Sequence, residues 1–185
     1  MSAPDLALAA LRADMLEVAA FAGAAPELVR RGAQAGWALP PLGRMSVAPA
    51  GLALAVRPER WLMVLAQQAG GTSAAHWQGL VGTSGAVMEL SAGLAAFFLS
   101  GAPAREALSR GCRLDLDPGV FTEDSAAATQ IAQVAVTLAA LPGGLLLLTP
   151  ASTARHLREW LMHVGRAFGI AVVSDVTVAA VSGDP

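Results

Sequence analysis

The 185 residues predict an α+β fold in which two β-α-β-β-α-β units pack together. Three observations point there. Apolar residues recur with the period of strands and then of helices, in an element order that occurs twice. Proline opens and glycine closes a helix at matching places in the two halves, Pro26 and Gly36 in the first, Pro103 and Gly111 in the second. Apolar residues make up 55% of the chain, enough for a large shared interior. Residues 1–13 read as an N-terminal arm, 14–91 as the first unit, 92–178 as the second and 179–185 as a C-terminal tail. The halves share little residue identity, so the repeat rests on element order and punctuation. Two split βαβ units of ferredoxin-like type are the architecture that satisfies it.

In the first half, "DMLEVAAFA" (14–22) reads as a strand and residues 26–35 as a helix. Short extended pieces follow at 44–56, then a firmer strand at 60–66, a helix at 73–81 and a strand at 85–90. In the second half the sequence predicts a strand at 94–100, a helix at 103–110, strands near 127–139 and 144–149, a helix at 152–168 and a last strand in "IAVVSDV". The helix at 152–168 carries the clearest stripe: Leu157, Leu161, Val164 and Phe168, with Trp160 beside them, while Arg155, Glu159, Met162 and Arg166 follow another face. Ser152 or Thr153 is the expected cap. In "GCRLDLDPGVF" (111–121), Cys112, Leu114 and Leu116 alternate with Arg113, Asp115 and Asp117, which predicts a short half-buried strand ending in an Asp117-Pro118-Gly119 turn.

Charged residues amount to only 14%, against roughly 25% in an ordinary soluble domain. Lys, Asn and Tyr are absent and Ile occurs only at 131 and 170, the pattern of a GC-rich genome. Even after that discount few charges remain to coat a surface, so neighbouring subunits are expected to cover part of it; a monomer with an alanine-rich exterior is the alternative. The net charge of −2 and scattered arginines argue against nucleic-acid binding. One cysteine allows no internal disulfide, and "MSAPDLALAALRADMLEV" has no basic leader, so a cytoplasmic location is expected. Residues 61–88 and 125–154 lack Asp, Glu, Lys and Arg, but Gln67, Gln68, His76 and Gln78 interrupt the first, and Pro142, Gly143 and Gly144 the second. Neither offers about 20 continuous apolar residues, and no membrane association is expected.

Without lysine there is neither a Walker-type phosphate loop nor Schiff-base chemistry. The glycines of "AGGTS" and "GLVGTSG" do not match the dinucleotide fingerprint. A metal site would draw on His76, His156, His163 and Cys112, yet His156 and His163 lie seven residues apart on one helix, about 10 Å along its axis. Cys112 follows a helix C-terminus, where the dipole disfavours a thiolate, so a buried inert thiol is expected. Ser174, Asp175 and a histidine form no spacing that selects a triad, and G-x-S-x-G is absent. No catalytic, cofactor-binding or metal-ligating residues are assigned.

Three stretches carry a resemblance. "FFLSGAPAREALSRGCRLDLDPGVF" (97–121), "RPERWLMVL" (57–65) and "ASTARHLREWLMHVGRAFG" (151–169) resemble the gamma subunit of heterotetrameric sarcosine oxidase, over roughly residues 15–170. Arg57 stands where that family usually has glycine, Arg60 where an acid is common and Asp117 where histidine is common. The resemblance implies a fold similar to the folate-binding domain of the glycine-cleavage T-protein. It implies alpha, beta and delta partner chains, with FAD, FMN, NAD and tetrahydrofolate belonging to the whole complex and none bound by this chain. It also implies that sarcosine is demethylated to glycine, with hydrogen peroxide and formaldehyde or methylene-tetrahydrofolate as products, and that gamma is a non-catalytic chain supporting assembly. Tryptophan and arginine are favoured interface anchors, which makes Trp37 and Arg44, flanking "ALPPLG", the contact candidates; helix-end packing is the other reading of Trp37. Two alternatives stand beside this: a stand-alone folate-binding aminomethyltransferase-like protein with Glu89 at the pterin, and the matching subunit of a related N-methyl amino acid dehydrogenase. A zinc-dependent thiol enzyme is a third.

Overall fold

The computed structural model describes residues 4–67 and 72–182. Residues 1–3 of the expected arm, Gln68, the "GG" of "AGGTS" and the last three residues of the tail lie outside the described residues. In chain order the first elements are β1 (Leu6–Arg12), β2 (Asp14–Ala20), α1 (Ala25–Gln34), β3 (Met45–Ala48), β4 (Gly51–Arg57), β5 (Arg60–Leu65), α2 (Thr72–Val81) and β6 (Gly85–Glu89). Then come β7 (Leu94–Ser100), α3 (Ala104–Ser109), β8 (Ala126–Ile131), β9 (Val134–Leu141), β10 (Gly144–Pro150), α4 (Ala154–Gly165), β11 (Ile170–Val172), β12 (Val176–Thr177) and α5 (Val178–Ser182).

Two sheets form. The first has the order β3-β4-β5-β2-β6 and the second β11-β1-β7-β10-β9-β8, with β12 pairing further along β1. If the four principal strands of each unit are numbered along the chain, β6-β2-β5-β4 runs 4-1-3-2 with every neighbour antiparallel, the order of a split βαβ unit. The second unit repeats that order as β11-β7-β10-β9, with β1 inserted between its strands 4 and 1. Each unit adds an edge strand, β3 or β8, hairpinned onto its strand 2. The chain is therefore the α+β double unit that its element order predicts.

Alternation explains the layering. Along β10, Leu145 and Leu147 face α3 and α4, while Leu146 and Leu148 face the other sheet. Along β4, Ala53 and Ala55 join Leu28, Trp37 and Trp77 under α1 and α2, while Leu52 and Leu54 point to the shared interior. Three apolar clusters result: one under each helix pair and one between the sheets, closed by Val178 and Val181 of α5. Each large side chain buried this way contributes about 1.5–3 kcal/mol.

Several sequence expectations change. The residues read as an arm form β1, held antiparallel by β7 and parallel by β11, and Ala13 alone carries the chain into β2 and the opposite sheet. "LALAALR" is so alanine-rich that its alternation was concealed. The stretch expected as one strand at 127–139 is two, because Ala132 and Gln133, at φ 51° and 67°, make a left-handed two-residue turn without the usual Asn or Gly. The final strand breaks into β11 and β12. At 152–168 the α-helix proper covers Ala154–Gly165, with a single 3₁₀ turn before and after. Thr153 stands at its N-cap, but its hydroxyl donates to the Pro150 carbonyl instead of capping the helix.

Candidate functional site

Most of the residues singled out in the sequence are kept apart. Cys112 is half-buried, its N–H donating to the Leu108 carbonyl at the end of α3, and it forms only an isolated bridge with Ile131. The strand expected at 112–116 is thus a single β-bridge, although the burial alternates as expected, with Leu116 and Phe121 inside. The turn is built by side-chain acceptance: Asp117 Oδ1 takes the Gly119 N–H at 2.7 Å, and Arg105 Nη1 donates to the Leu116 and Phe121 carbonyls at 2.8 Å. These bonds fix the loop as structure. Gly111 serves by its lack of a side chain, because a Cβ there would run into the Trp160 ring.

His76, His156 and His163 are all exposed, and no group of three His, Cys, Asp or Glu side chains among the described residues is arranged to hold a metal ion. Asp175 is paired with Arg12 at 2.8 Å. The Glu89 carboxylate accepts from the N–H and hydroxyl of Ser91 two residues on, a local turn bond. No helix among the described residues is long and apolar enough to cross a membrane.

Trp37 is 5% exposed and meets Trp77 edge-on at 5.2 Å between ring centroids. Its ring is spent on the core beneath α1 and α2, which leaves little of it for a partner. Beside the two rings opens a cleft of about 280 Å³, whose lining includes Leu65, Ala66, Ser73 and His76. Arg44 is exposed at the junction of the two units. Its Nη1 donates to Thr122 Oγ1 at 3.2 Å, and its backbone bridges Ser125. Around it the Met45 N–H donates to the Asp124 carbonyl and the Ala126 N–H to the Gly43 carbonyl. These bonds are reciprocal between equivalent positions of the two units.

The arrangement that sequence reasoning missed lies on the first sheet. Glu17, on β2, is 6% exposed and its carboxylate receives Arg57 Nη2 on one oxygen and Arg60 Nη1, at 2.7 Å, on the other. A buried carboxylate keeps its charge only when cations and hydrogen bonds replace water. Both arginines flank one turn, Pro58–Glu59, so the β4–β5 hairpin carries them to β2 as a pair. The signal was present: a single acid in the apolar alternation "MLEVAA" and two arginines spaced around a proline turn in "RPER". Register places Met88 of β6 directly beside Glu17 and Ala86 beside Ala19, on the same face. Met88 is 60% and Phe21 54% exposed there. On α1, Arg30 and Arg31 both donate to Glu27 and hold its carboxyl at about 2, well below the ordinary carboxylate value.

No protein-family model and no curated protein sequence matches the chain. Solved structures do. A chain of the heterotetrameric sarcosine oxidase from Corynebacterium sp. U-96, in complex with pyrrole 2-carboxylate, superposes with a TM-score of 0.79 at 24% identity, over 94% of this chain and 90% of that one. The glycine cleavage system aminomethyltransferase T from Bartonella henselae superposes with a TM-score of 0.69 at 16% identity. That match takes in 92% of this chain and 48% of the aminomethyltransferase, so the chain spans about half its length. At these identities the likeness establishes the fold, an aminomethyltransferase-like pair of α+β units.

Proposed function

We propose that the chain is the gamma-type, non-catalytic subunit of a heterotetrameric, flavin-dependent sarcosine oxidase, where it supports the assembly of the alpha and beta chains. The observation that carries this reading is the end-to-end overlap with a chain of such an oxidase, 94% of one and 90% of the other. Low charge supports it, because a subunit places apolar surface against its neighbours. In this reading FAD, FMN, NAD and tetrahydrofolate serve the complex, delta completes it, and none of the cofactors sits on this chain. The reaction is oxidative demethylation of sarcosine to glycine, as part of sarcosine catabolism in the cytoplasm.

Co-expression of the tagged chain with the alpha, beta and delta chains of a sarcosine oxidase tests it. The expected result is a stoichiometric complex that is yellow with flavin and makes peroxide from sarcosine, while the chain purified alone is colourless and self-associates. A stable colourless monomer that ignores those chains overturns the reading. The same complex turning over another N-methyl amino acid in preference to sarcosine moves the assignment to a related dehydrogenase. The likeness to the aminomethyltransferase over 92% of the chain favours one further reading, a free-standing folate-binding protein. Saturable heat of tetrahydrofolate binding to the isolated chain is its signature.

A further inference from the structure

We infer that the open edge of β6, together with the sheet face beside it, docks an extended segment of a partner chain that carries an acidic residue among apolar ones. The inference rests on the reading of the chain as a subunit and names the surface that reading needs.

Three features converge on β6. The first is its backbone. Among the described residues it pairs only with β2, and its outer side is unpaired. The Leu90 N–H donates to the Met15 carbonyl and the Phe21 N–H to the Ser84 carbonyl, so the bonded pairs of this antiparallel ladder fall on the even positions of β6. The N–H and C=O groups of Gly85, Val87 and Glu89 therefore point away from β2. Sheet edges are commonly blunted by lysine, proline or a bulge, and "GAVME" has none of these.

The second is the apolar face. Phe21 and Met88 stand exposed on either side of Ala19 and Ala86, on the sheet face that elsewhere packs against the second sheet. Only the half of this face that bears Met15, Leu52, Leu54 and Val64 is covered. The third is charge, which selects the occupant. Arg57 and Arg60 share the single carboxylate of Glu17, so these three side chains sum to one positive charge, with Glu59 of the intervening turn the next acid along the chain. One nitrogen of each guanidinium is spent on Glu17, and the rest of each fork faces outward from side chains 58% and 49% exposed. A carboxylate on the incoming strand meets that charge. A second copy of this chain is disfavoured, because an isologous contact sets this same positive patch on both sides of the interface. Strand addition of this kind takes affinity from main-chain bonds and specificity from alternate side chains.

The test uses the full chain co-expressed with the flavin-bearing chains. Met88→Glu and Phe21→Asp change exposed residues, and the triple variant E17Q/R57Q/R60Q removes the charge while leaving hydrogen-bonding groups in place of the buried ion. Val120→Glu and Val172→Glu, at exposed apolar positions elsewhere, serve as controls. We expect the controls to assemble like the wild type and Met88→Glu to weaken assembly at least about tenfold, with slowed amide exchange at residues 85–89 in the wild-type complex. A complex that forms equally with Met88→Glu and Phe21→Asp, with unchanged exchange at 85–89, overturns the docking surface and leaves the subunit reading standing. Loss of self-association on Met88→Glu, without loss of the complex, assigns the edge to a second copy and overturns the choice of occupant. No complex even with the wild-type chain overturns both readings.

Discussion

The two units build the same scaffold with opposite chemistry at equivalent positions. Register makes Glu17 of the first unit the counterpart of Phe98 in the second, since Glu17 pairs with Leu62 on β5 and Phe98 with Leu146 on β10. Arg60 likewise corresponds to Gly144, and Arg57 to Leu141. Where the first unit has an acid held by two arginines, the second has an aromatic ring lying over a glycine beside a leucine. The flanking strands differ too: β1 fills the second sheet on that side, whereas the first sheet stops at β6. The second unit has closed its inner face upon itself. The first has kept half of it polar and open, which is the arrangement expected of the side that meets something else.

The largest test of this contrast is the buried acid. Replacing Arg57 and Arg60 together by alanine leaves the buried Glu17 carboxyl without either of its arginine partners, and we expect a loss of about 3–5 kcal/mol in urea unfolding. Adding Glu17→Leu to that pair copies the second unit's apolar solution and restores most of the loss. A double variant as stable as the wild type would show that Glu17 finds water and that the two faces are not so different. Next is Gly144→Ala. Its Cβ would come within 2.6 Å of both the Leu99 carbonyl and the Phe98 ring, so overpacking of about 1–3 kcal/mol is expected. Arg60→Ala, at the equivalent place in the first unit, has no such ring above it, so it adds no overpacking.

Turns sharpen the comparison at smaller cost. The β4–β5 and β9–β10 hairpins both turn through proline and a residue with positive φ, Glu59 at 56° in the first and Gly143 at 78° in the second. Gly43 at 83° and Asp124 at 70° stand at the two equivalent places before β3 and β8, with the non-glycine residue now in the second unit. A side chain in this conformation costs about 1 kcal/mol relative to glycine. Glu59→Gly and Asp124→Gly should each raise stability by up to about 1 kcal/mol, and Gly143→Ala should lower it by a similar amount. The Ala132–Gln133 turn, which has two such residues, should gain the most from replacement by Asn-Gly. Unchanged melting temperatures across this set would show that the backbone relaxes at these positions.

Much of the scaffold was legible because it is written in periodicity. Pro26, Gly36 and Pro103 bracketed their helices to within a residue or so, and the Leu157–Leu161 stripe identified the buried side of α4. The failures share a cause: alanine serves both faces of a strand, so "LALAALR" lacked contrast, and Ala132–Gln133 concealed a turn behind residues with no turn preference. The insertion of β1 into the far sheet is non-local pairing, which no window of sequence reports. The Glu17 cluster was half legible. Its three charges were conspicuous in an apolar context, but only the register of β2, β4 and β5 shows that they converge. Trp37 stands out in the sequence for its residue type, and its edge-on contact with Trp77 is a tertiary fact.

The smallest expected effect separates surface ion pairs from the buried one. Glu27 sits on the outer face of α1 and Glu159 on that of α4, one in each unit, and arginine hydrogen bonds lower both carboxyls, Glu27 to about 2. A carboxyl whose folded value lies below its unfolded value of 4.5 stabilises the fold fully above pH 4.5. That contribution is lost as pH falls toward 2. Glu27→Gln should therefore leave the melting temperature nearly unchanged at low pH and lower it slightly at pH 7, with the difference shrinking in high salt because Arg30 is exposed and Glu27 and Arg31 are only half-buried. The salt dependence is the discriminating readout. A Glu17 bond shielded by the sheet should keep its effect in 1 M salt, whereas that of Glu27 should fade, and equal fading at both sites would mean that the first unit's inner face is as wet as its outer one.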